Sequence, residues 1–384
     1  MALKSSFKVD NHAIGSGFPC FIIAEMSANH NQDFDTAVKI IEEIKKAGAD
    51  AVKLQTYTPD TLTINVTRGS FLIPRGNTFA GPKNLYELYK TAYMPWEFQP
   101  KLNIIAKKIG LTLFSTAYEP TAVKFLEKEL DPPVHKVASF EMNSDELLAV
   151  MAKTGKPMIV STGMATLEEI DHAVSVMKKN GCRELVLMRC SSAYPATLDE
   201  LHLQNMNLLR EIYDIPVGLS DHSPGVGGSV AAVALGANVI EKHFTLNKKD
   251  RGPDHAFSMD PIDFKLLVTS IRQAEAAASG VNFEVAGERE FESRVLFRRS
   301  LYVVEDMKKG EKLTRDNLRC IRPGGGLPPK YFEQLLGLSV NKFVSRGTPM
   351  TLRLPEFLRH TRRDDRQSDD FRTGVVDMAG AHGV

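Results

Sequence analysis

The sequence predicts an α/β protein: a (β/α)8 barrel followed by a smaller domain of short strands and turns. Eight short apolar runs alternate with amphipathic helical patterns over about 260 residues, which matches the size and order of such a barrel. The chain has 384 residues, more than one hydrophobic core usually supports, so a second domain is expected. An open, doubly wound sheet is the alternative fold, but no glycine-rich dinucleotide fingerprint follows the first run.

Each predicted strand is five to seven residues long and most end in polar residues, as strands that present a site at one rim do. The helical patterns between them have one apolar face. In the first pattern Phe34, Val38, Ile41 and Ile44 share a face, and Gly48 is a stop signal. The predicted strands are CFIIAEM from Cys20, AVKLQTY from Ala51, LTLFST from Leu111, HKVAS from His135, PMIVST from Pro157, LVLMRCS from Leu185, PVGLSD from Pro216 and VIEKHFT from Val239.

One connection, from Tyr57 to Trp96, is far longer than the roughly 2–6 residues usual between such elements. Long connections at the carboxyl ends of barrel strands commonly build binding sites. This connection is therefore predicted to form a lid or a substrate wall. An ordered segment that only packs against the barrel is the alternative.

The predicted domain organisation is a barrel followed by a linker, a small domain and a tail. The small domain contains KKGEKLT, RPGGGLPP and SRGTP, which are turn sequences that leave little room for long helices. The tail is first charged and then rich in small residues, without apolar periodicity, and is predicted to be disordered. The boundaries are 1–284 for the barrel, 285–297 for the linker, 298–357 for the small domain and 358–384 for the tail.

Composition argues against several classes of partner. The formal net charge is +1 and no basic stripe occurs, so nucleic acid is not an expected partner. No run approaches the ~20 apolar residues of a membrane span, and the first residues lack the apolar region of a signal peptide. A cytoplasmic protein without a membrane partner is expected. The four cysteines lack paired spacing, which indicates reduced thiols.

Two histidines, His222 and His243, lie at the carboxyl ends of neighbouring predicted strands. Because the carboxyl ends of barrel strands share one rim, both imidazoles can lie within reach of one divalent metal ion. Two imidazoles with nearby carboxylates suit an ion that keeps open positions for water and substrate. The alternative is that each histidine is a hydrogen-bonded polar group under a loop.

Two lysines, Lys53 and Lys136, lie on two other predicted strands, and several serines and threonines lie at strand ends. Ammonium groups with hydroxyl donors suit a dianionic phosphate that also carries a carboxylate. A desolvated strand lysine can instead form a Schiff base, as in metal-free aldolases. A metal ion and a Schiff base are alternative ways to polarise a carbonyl, and only one of them is needed. Because the histidine pair can hold the metal ion, the lysines are interpreted as an anion pocket.

Several longer motifs occur at or beside the predicted strand ends and in the small domain. They are FIIAEMSANHN, DAVKLQTYTPDTLT, KVASFE, VSTGMAT, VGLSDHS, VIEKHFTL, GPDHAFSMD, and FRRSLYV followed by RPGGGLPP. Together these motifs resemble the sialic acid synthase family, the phosphoenolpyruvate-condensing synthases of nonulosonic acids, and the resemblance covers about residues 18–357. Within that family, SANH, QTYTPDTLT, YELY and ASFE are most similar to the pseudaminic acid synthases.

The resemblance implies a metal-dependent enzyme that joins phosphoenolpyruvate to an N-acetylated amino sugar. It implies a barrel catalytic domain and an antifreeze-like (SAF) domain. In a domain-swapped homodimer, the SAF domain of each chain closes over the active site of its partner. Manganese is the usual metal, with magnesium and cobalt as alternatives. The positions that match are His222 and His243 for the metal; Lys53, Thr116, Lys136, Ser139, Ser161 and Ser220 for phosphoenolpyruvate; Glu25, Gln55, Tyr194 and Asp254 around the sugar; Glu141 near the reaction intermediate; and Arg322 offered across the dimer.

The resemblance leaves open the acceptor sugar and the proton-transfer group. Glu25, Glu141 and Asp254 are the candidates for proton transfer, and the sequence does not rank them. The favoured acceptor is a 2,4-diacetamido-2,4,6-trideoxy hexose. Synthesis of N-acetylneuraminate or legionaminate is the alternative, and a non-catalytic carbohydrate-binding protein is a further one.

Two departures from the neuraminate synthases bear on sugar specificity. Ser192 stands where those enzymes often have asparagine, and Phe140 replaces a glycine before Glu141. Both argue against a simple transfer of that specificity to this chain. The apolar residues of the long connection that are candidates to face a deoxy methyl group are Phe71, Leu72, Ile73 and Phe79.

Overall fold

The protein forms two compact units, Met1–Ser279 and Gly280–Val384. No helix in the part of the chain that is described combines the length and the apolar character needed to cross a lipid bilayer. The computed structural model describes residues 2–74, 78–79, 81–278, 280 and 287–354.

The first unit is a closed barrel of eight parallel strands, preceded by a short antiparallel hairpin. Neighbouring barrel strands are consecutive in the chain, and the last pairs with the first to close the ring. The closed barrel and all eight predicted strands are confirmed, whereas the hairpin is not among the predicted elements. The hairpin strands are β1 (Ser6–Val9) and β2 (His12–Gly15), and the barrel strands are β3 (Phe21–Glu25), β4 (Ala51–Thr56), β5 (Thr112–Ala117), β6 (His135–Val137), β7 (Met158–Ser161), β8 (Leu185–Cys190), β9 (Val217–Asp221) and β10 (Val239–His243).

The helices of this unit follow the apolar periodicity of the sequence. The first begins at its N-cap, where the side chain of Asp33 accepts the Thr36 N–H, and ends at Gly48, whose φ of 91° lies in the left-handed region. The end at Gly48 matches the predicted stop signal. The helices are α1 (Phe34–Ala47), α2 (Pro59–Leu62), α3 (Leu85–Ala92), α4 (Phe98–Lys108), α5 (Pro120–Glu129), α6 (Asp145–Lys153), α7 (Leu167–Lys179), α8 (Gln204–Tyr213), α9 (Gly227–Ala234) and α10 (Pro261–Ala277).

The hairpin closes the amino end of the barrel. Its residues Phe7, Val9 and Ile14 are buried in one apolar cluster with residues from inside the barrel, including Phe21 and Val239 at the first positions of β3 and β10. A separate and larger apolar cluster fills the space between the strands and the surrounding helices. Because the amino end is filled, the carboxyl end is the side on which the interior can open to a ligand.

The long connection after β4 is ordered at both ends. Asn84 caps α3 by accepting the Glu87 N–H, and its side-chain amide donates to Asn65 and to the carbonyl of Val66. The Trp96 indole N–H donates to the Tyr57 carbonyl at 3.0 Å, which ties the end of the connection to its start. The described parts of the connection are therefore folded and are held by their own polar contacts.

The described residues of the second unit form short strands, turns and two α-helices. Its core is apolar, with Leu301, Val303 and Leu318 fully buried. The segment predicted as a linker, 285–297, contains a helix within this unit, which the sequence interpretation did not include. The predicted tail, 358–384, lies outside the described residues. The elements are α11 (Glu288–Phe297), β11 (Ser300–Val303), β12 (Leu318–Ile321) and α12 (Phe332–Leu335), with β11 and β12 antiparallel.

Candidate active site

A cavity of about 890 Å³ lies at the carboxyl ends of the barrel strands. Most site residues predicted in the barrel line it. Thr116 does not, but its hydroxyl accepts a hydrogen bond from Lys53 at 2.9 Å. Arg322 belongs to the second unit. The predicted residues that line the cavity are Glu25, Lys53, Gln55, Lys136, Ser139, Glu141, Ser161, Tyr194, Ser220, His222, His243 and Asp254.

The two lysines are buried and differ in their partners. Lys136, 1% exposed, donates to the Ser161 hydroxyl at 2.7 Å and to the carbonyl of Val137 at 2.8 Å. Burial lowers the pKa of Lys136, and the charge of Glu241 offsets this only in part. Burial also lowers the pKa of Lys53, but the carboxylates of Glu241 and Glu25 outweigh it, so the net shift is upward. Lys53 is therefore a stable cation.

Two carboxyl groups share Lys53. Its ammonium lies 2.5 Å from Glu25 Oε2 and 3.5 Å from Glu241 Oε1, and all three side chains are buried. Burial raises the pKa of Glu25, Lys53 lowers it and Glu241 raises it again, with a net upward shift. Burial also raises the pKa of Glu241, but Lys136 and Lys53 lower it more. Glu241 is thus the ionised member and Glu25 the one that holds a proton more readily.

Glu241 is a site residue that the sequence interpretation missed. It stands two positions before His243 on β10, and both side chains line the cavity. Strand residues two apart face the same side of a sheet, so the predicted inward position of His243 also places Glu241 inward. The alternation of side chains along a strand was therefore the sequence signal that could have identified Glu241. Other lining residues outside the predicted set include Ser27, Tyr57, Tyr118 and Cys190.

Several polar groups meet around Glu25 and Asp254. The Gln55 amide donates to Glu25 at 3.0 Å and to the Ser27 hydroxyl at 3.1 Å. The Ser27 hydroxyl donates to Asp254, which also accepts the N–H of Ala28. Burial raises the pKa of Asp254 despite these hydrogen bonds. Gln55 and Ser27 therefore join the two carboxyl groups in one network at the cavity wall.

The two predicted metal ligands lie side by side. The ring centroids of His222 and His243 are 5.3 Å apart. His222 Nδ1 lies 2.8 Å from the carbonyl of Ser191, which places a hydrogen on Nδ1 and leaves Nε2 as the basic nitrogen. His243 Nδ1 is buried and has no hydrogen-bond partner in the described part of the chain, and burial holds its pKa well below the usual range, so its ring is neutral.

The two imidazoles fit a divalent metal site. Burial lowers the pKa of His222, but Cys190 raises it more, so a metal ion would compete with a proton for that ring. Among the described residues, no group of three or more His, Cys, Asp or Glu side chains is arranged to hold an ion. An ion held by the histidine pair alone would therefore keep positions for water and substrate. Tyr194 lies against His222, with ring centroids 4.2 Å apart, and Phe257 lies against His243 at 5.1 Å. The aromatic rings fix both imidazoles from the side.

Comparison with known proteins decides the family. The NeuB family matches residues 40–282, and the SAF domain matches residues 298–352. The chain belongs to the NeuB family. It is 42% identical over 327 residues to the pseudaminic acid synthase of Campylobacter jejuni subsp. jejuni serotype O:23/36, covering 85% of this chain and 94% of that protein. It is 36% identical over 340 residues to the N,N'-diacetyllegionaminic acid synthase of Legionella pneumophila, covering 88% and 94%.

A solved structure agrees with this assignment. The spore coat polysaccharide biosynthesis protein SpsE from Bacillus subtilis is 29% identical, covers 91% of this chain and 98% of its own, and superposes with a TM-score of 0.61. The predicted family, the barrel and the carboxyl-terminal SAF domain are therefore confirmed. This NeuB-family chain is an enzyme of the nonulosonic acid synthase class.

The long connection of this NeuB-family enzyme forms part of the cavity wall. Ile73 and Phe79 line the cavity, whereas Phe71 and Leu72 are not among the lining residues. The prediction of a wall is therefore met by two of the four apolar candidates. Ser192 and Phe140, the two departures from the neuraminate synthases, also line the cavity.

The burial of Glu141 makes the free energy of unfolding depend on pH. Burial raises the pKa of Glu141 from 4.5 to about 7, although Lys136 lowers it, and Oε2 has no hydrogen-bond partner among the described residues. In the unfolded chain the carboxyl ionises near its usual pKa. Between these two pKa values the unfolded state is ionised while the folded state keeps the proton. Raising the pH from 4.5 to 7 therefore reduces the free energy of unfolding.

We expect Glu141→Gln to remove this pH dependence. Relative to wild type, the variant should gain roughly 1–3 kcal/mol in free energy of unfolding between pH 4.5 and pH 8. Urea unfolding followed by the fluorescence of Trp96, the single tryptophan, reports on the barrel. Glu211→Gln changes an exposed carboxylate and is the control. A difference between Glu141→Gln and wild type that stays constant across this pH range would contradict the assignment.

Proposed function

We propose that this enzyme condenses phosphoenolpyruvate with a 2,4-diacetamido-2,4,6-trideoxy hexose to give a nonulosonic acid and phosphate. The observation that carries the proposal is one cavity that holds two buried lysines beside hydroxyl groups and, on the same rim, two adjacent histidines. Relatives named pseudaminic acid synthase, from Campylobacter jejuni and Helicobacter pylori, are 42% and 41% identical to this chain. The proposed location is the cytoplasm, where phosphoenolpyruvate is made.

The proposed reaction forms one carbon–carbon bond and one carbon–oxygen bond, the latter from water, and breaks the carbon–oxygen bond to phosphate. C3 of phosphoenolpyruvate attacks the aldehyde carbon of the open-chain sugar, which leaves positive character at C2. Water adds at C2, and the tetrahedral intermediate expels phosphate with its bridging oxygen to form the keto group. Lys53 and Lys136 bind the phosphate and carboxylate through fixed positive charge, and Ser161 and Thr116 hold the two ammonium groups.

Among the proton-transfer candidates, Glu25 and Glu141 have the better properties. Burial is the largest cause of the raised pKa in both, and for both the value is about 7. A general acid or base works best when its pKa lies near the working pH. Asp254 is also shifted upward, but its carboxylate already accepts hydrogen bonds from Ser27 and Ala28. We assign the protonation of the sugar oxygen to one of these two carboxyl groups, Glu25 or Glu141.

The proposed metal site is the histidine pair. His222 and His243 would hold a divalent ion, manganese in the first instance, with magnesium or cobalt as alternatives. When bound, such an ion acts as a Lewis acid that polarises the aldehyde oxygen. The residues around it have structural tasks: the Ser191 carbonyl orients the His222 ring, and Tyr194 packs on its side.

The proposed enzyme is a domain-swapped homodimer in which Arg322 completes the other chain's site. Arg322 lies in the second unit, where its guanidinium is 5.7 Å from the centroid of the Phe297 ring. It makes no ion pair with a described carboxylate, so its charge is available to a ligand. The following residues, Pro323 to Gly326, allow close approach of the backbone.

A substrate panel tests the proposed reaction. Wild-type enzyme should release phosphate from phosphoenolpyruvate with the diacetamido trideoxy hexose much faster than with N-acetylmannosamine. Lys136→Met should lower kcat/KM for phosphoenolpyruvate about 10- to 150-fold, because it removes hydrogen bonds from a charged group. Lys128→Met, which changes a surface lysine with a side chain 81% exposed, is the control. Faster turnover of N-acetylmannosamine would replace the proposal with neuraminate synthesis, and no phosphate release with any amino sugar would overturn it.

Metal dependence is tested by chelation and by a histidine variant. Chelator-treated wild type should lose turnover and regain it with Mn²⁺, whereas His222→Ala should not regain it and should keep its circular dichroism spectrum. Titration of Mn²⁺ followed by electron paramagnetic resonance should show weaker binding in the variant without reference to activity. Full turnover in metal-stripped His222→Ala protein would remove the ion from the scheme.

Complementation tests the shared active site. Arg322→Ala and Lys136→Met should each have little activity alone. In a mixed dimer, the intact barrel of one chain would receive the intact arginine of the other, so a mixture should recover up to about a quarter of wild-type activity. As the control, Arg322→Ala protein taken alone through the same mixing procedure should recover no activity. Absence of recovery, with mixed dimers verified by mass spectrometry, would contradict the swap.

A further inference from the structure

The wall formed by the long connection is chemically unlike the rest of the cavity. Cations and carboxylates reach the cavity from the strand ends, as with Lys53, Lys136 and Glu241. The described lining residues from the connection between Tyr57 and Trp96 carry no charge. Its aliphatic members are Leu62, Ile73, Pro74, Leu85, Leu88 and Ala92.

The polar atoms on this wall are mainly tyrosine hydroxyls. Tyr57 follows β4, Tyr89 lies on α3, and Tyr118, which follows β5, lies beside them; all three line the cavity. None of their hydroxyl groups has a hydrogen-bond partner among the described residues. The one other hydroxyl of the connection at the cavity, that of Thr78 in the described part of the chain, already donates to the Tyr194 carbonyl at 2.8 Å.

The three tyrosine rings form one packed group. The Tyr57 ring lies edge-on to Tyr89 and to Tyr118, with centroids 5.8 Å and 5.0 Å away. Such contacts hold the rings in place before a ligand arrives, so binding immobilises few side chains. Burial raises the pKa of each of the three phenols, and for Tyr89 and Tyr118 the charge of Glu141 adds to it. The three phenols are therefore neutral, and each can donate or accept a hydrogen bond.

Neutral phenols among aliphatic side chains suit an N-acyl group better than a polyhydroxyl chain. An acetamido group offers one N–H and one carbonyl to the hydroxyls and one methyl to the rings and leucines. A chain of sugar hydroxyls would place several donors against Leu88 and Ile73, where each unpaired group costs free energy. A phosphate or carboxylate would lack a cation, since the described part of the connection supplies none at the cavity.

We propose that Tyr57, Tyr89 and Tyr118 form a subsite for the second N-acyl group of the acceptor sugar. This inference rests on the proposed condensation and names the feature of the acceptor that the enzyme selects. The subsite separates a diacetamido deoxy sugar from N-acetylmannosamine, which has a hydroxyl in place of that amide. The aliphatic residues Leu62 and Leu88 receive the methyl group beside it.

Deletion of single hydroxyl groups, on α3 and after β5, tests the subsite. Tyr89→Phe and Tyr118→Phe keep the ring packing and remove one hydroxyl each. Each should lower kcat/KM for the diacetamido trideoxy hexose about 3- to 10-fold, the effect of one neutral hydrogen bond. The dissociation constant of N-acetylmannosamine and the KM for phosphoenolpyruvate should change less than about 2-fold. Tyr86→Phe removes a hydroxyl from the same helix that donates to Asp60 at 3.1 Å, outside the cavity lining, and is the matched control.

The outcomes separate this inference from the proposed reaction. If wild type turns over the diacetamido sugar and the two variants match Tyr86→Phe, the subsite is wrong and the reaction stands. If the variants lose the same factor with both sugars, the hydroxyls do not read the second amide and the subsite is again overturned. If wild type makes no product from any amino sugar, the proposed reaction fails, and the subsite fails with it.

Discussion

The structure of the barrel mouth depends on balancing opposite charges in a place from which water is largely excluded. A buried ion without a partner costs several kcal/mol, and a buried pair repays that cost only with good geometry. Lys53 meets this condition by contacting Glu25 and Glu241 together, at 2.5 Å and 3.5 Å. Burial raises the pKa of both carboxyl groups, but Lys136 adds to Lys53 in lowering the pKa of Glu241, so Glu241 stays ionised and Glu25 keeps its proton more readily. An anion bound to the lysines would add negative charge beside these carboxyls, so binding of the anion and retention of the proton favour each other.

Because side chains alternate along a strand, the charged residues at the end of β10 lie on both faces of the sheet. On β10, Glu241 and His243 face the cavity, while Lys242 between them is buried on the other face, against Asp221 of β9 at 2.7 Å. Lys242 also donates to the Ser223 carbonyl, and the Ser229 hydroxyl from α9 donates to Asp221. This second ion pair ties together the ends of the two strands that carry the histidines. The geometry of the histidine pair is therefore supported from behind the sheet as well as from within the cavity.

The sequence was informative about strands and poor at showing which charges they bury together. All eight barrel strands were predictable because β-rich apolar runs alternate with helical patterns, and His222 and His243 were predictable as neighbours because adjacent strand ends share a rim. Glu241 was missed because, within VIEKHFT, a glutamate next to a lysine resembles a solvated strand end. Its burial depends on the charges of Lys136 and Lys53, which are both distant in the chain. The hairpin β1–β2 was missed for a related reason: two four-residue strands with few apolar side chains gain their stability from the barrel interior that they close.

The division of labour between strand ends and connection explains how one family can contain enzymes named for different sugars. The charged groups that bind an anion and move protons lie on barrel strands or, as Glu141 does, just after one, and the strand positions are set by the closed ring of hydrogen bonds. A change there disturbs the charge balance around Lys53 and costs both stability and turnover. The wall between Tyr57 and Trp96 contributes no charge from its described residues, and it is held by its own contacts, such as the Trp96 to Tyr57 hydrogen bond. Exchange of a tyrosine or a leucine on that wall alters which substituents a sugar can carry and leaves the lysine and carboxyl groups in place. Selectivity can therefore diverge on the connection while the chemistry stays fixed on the barrel.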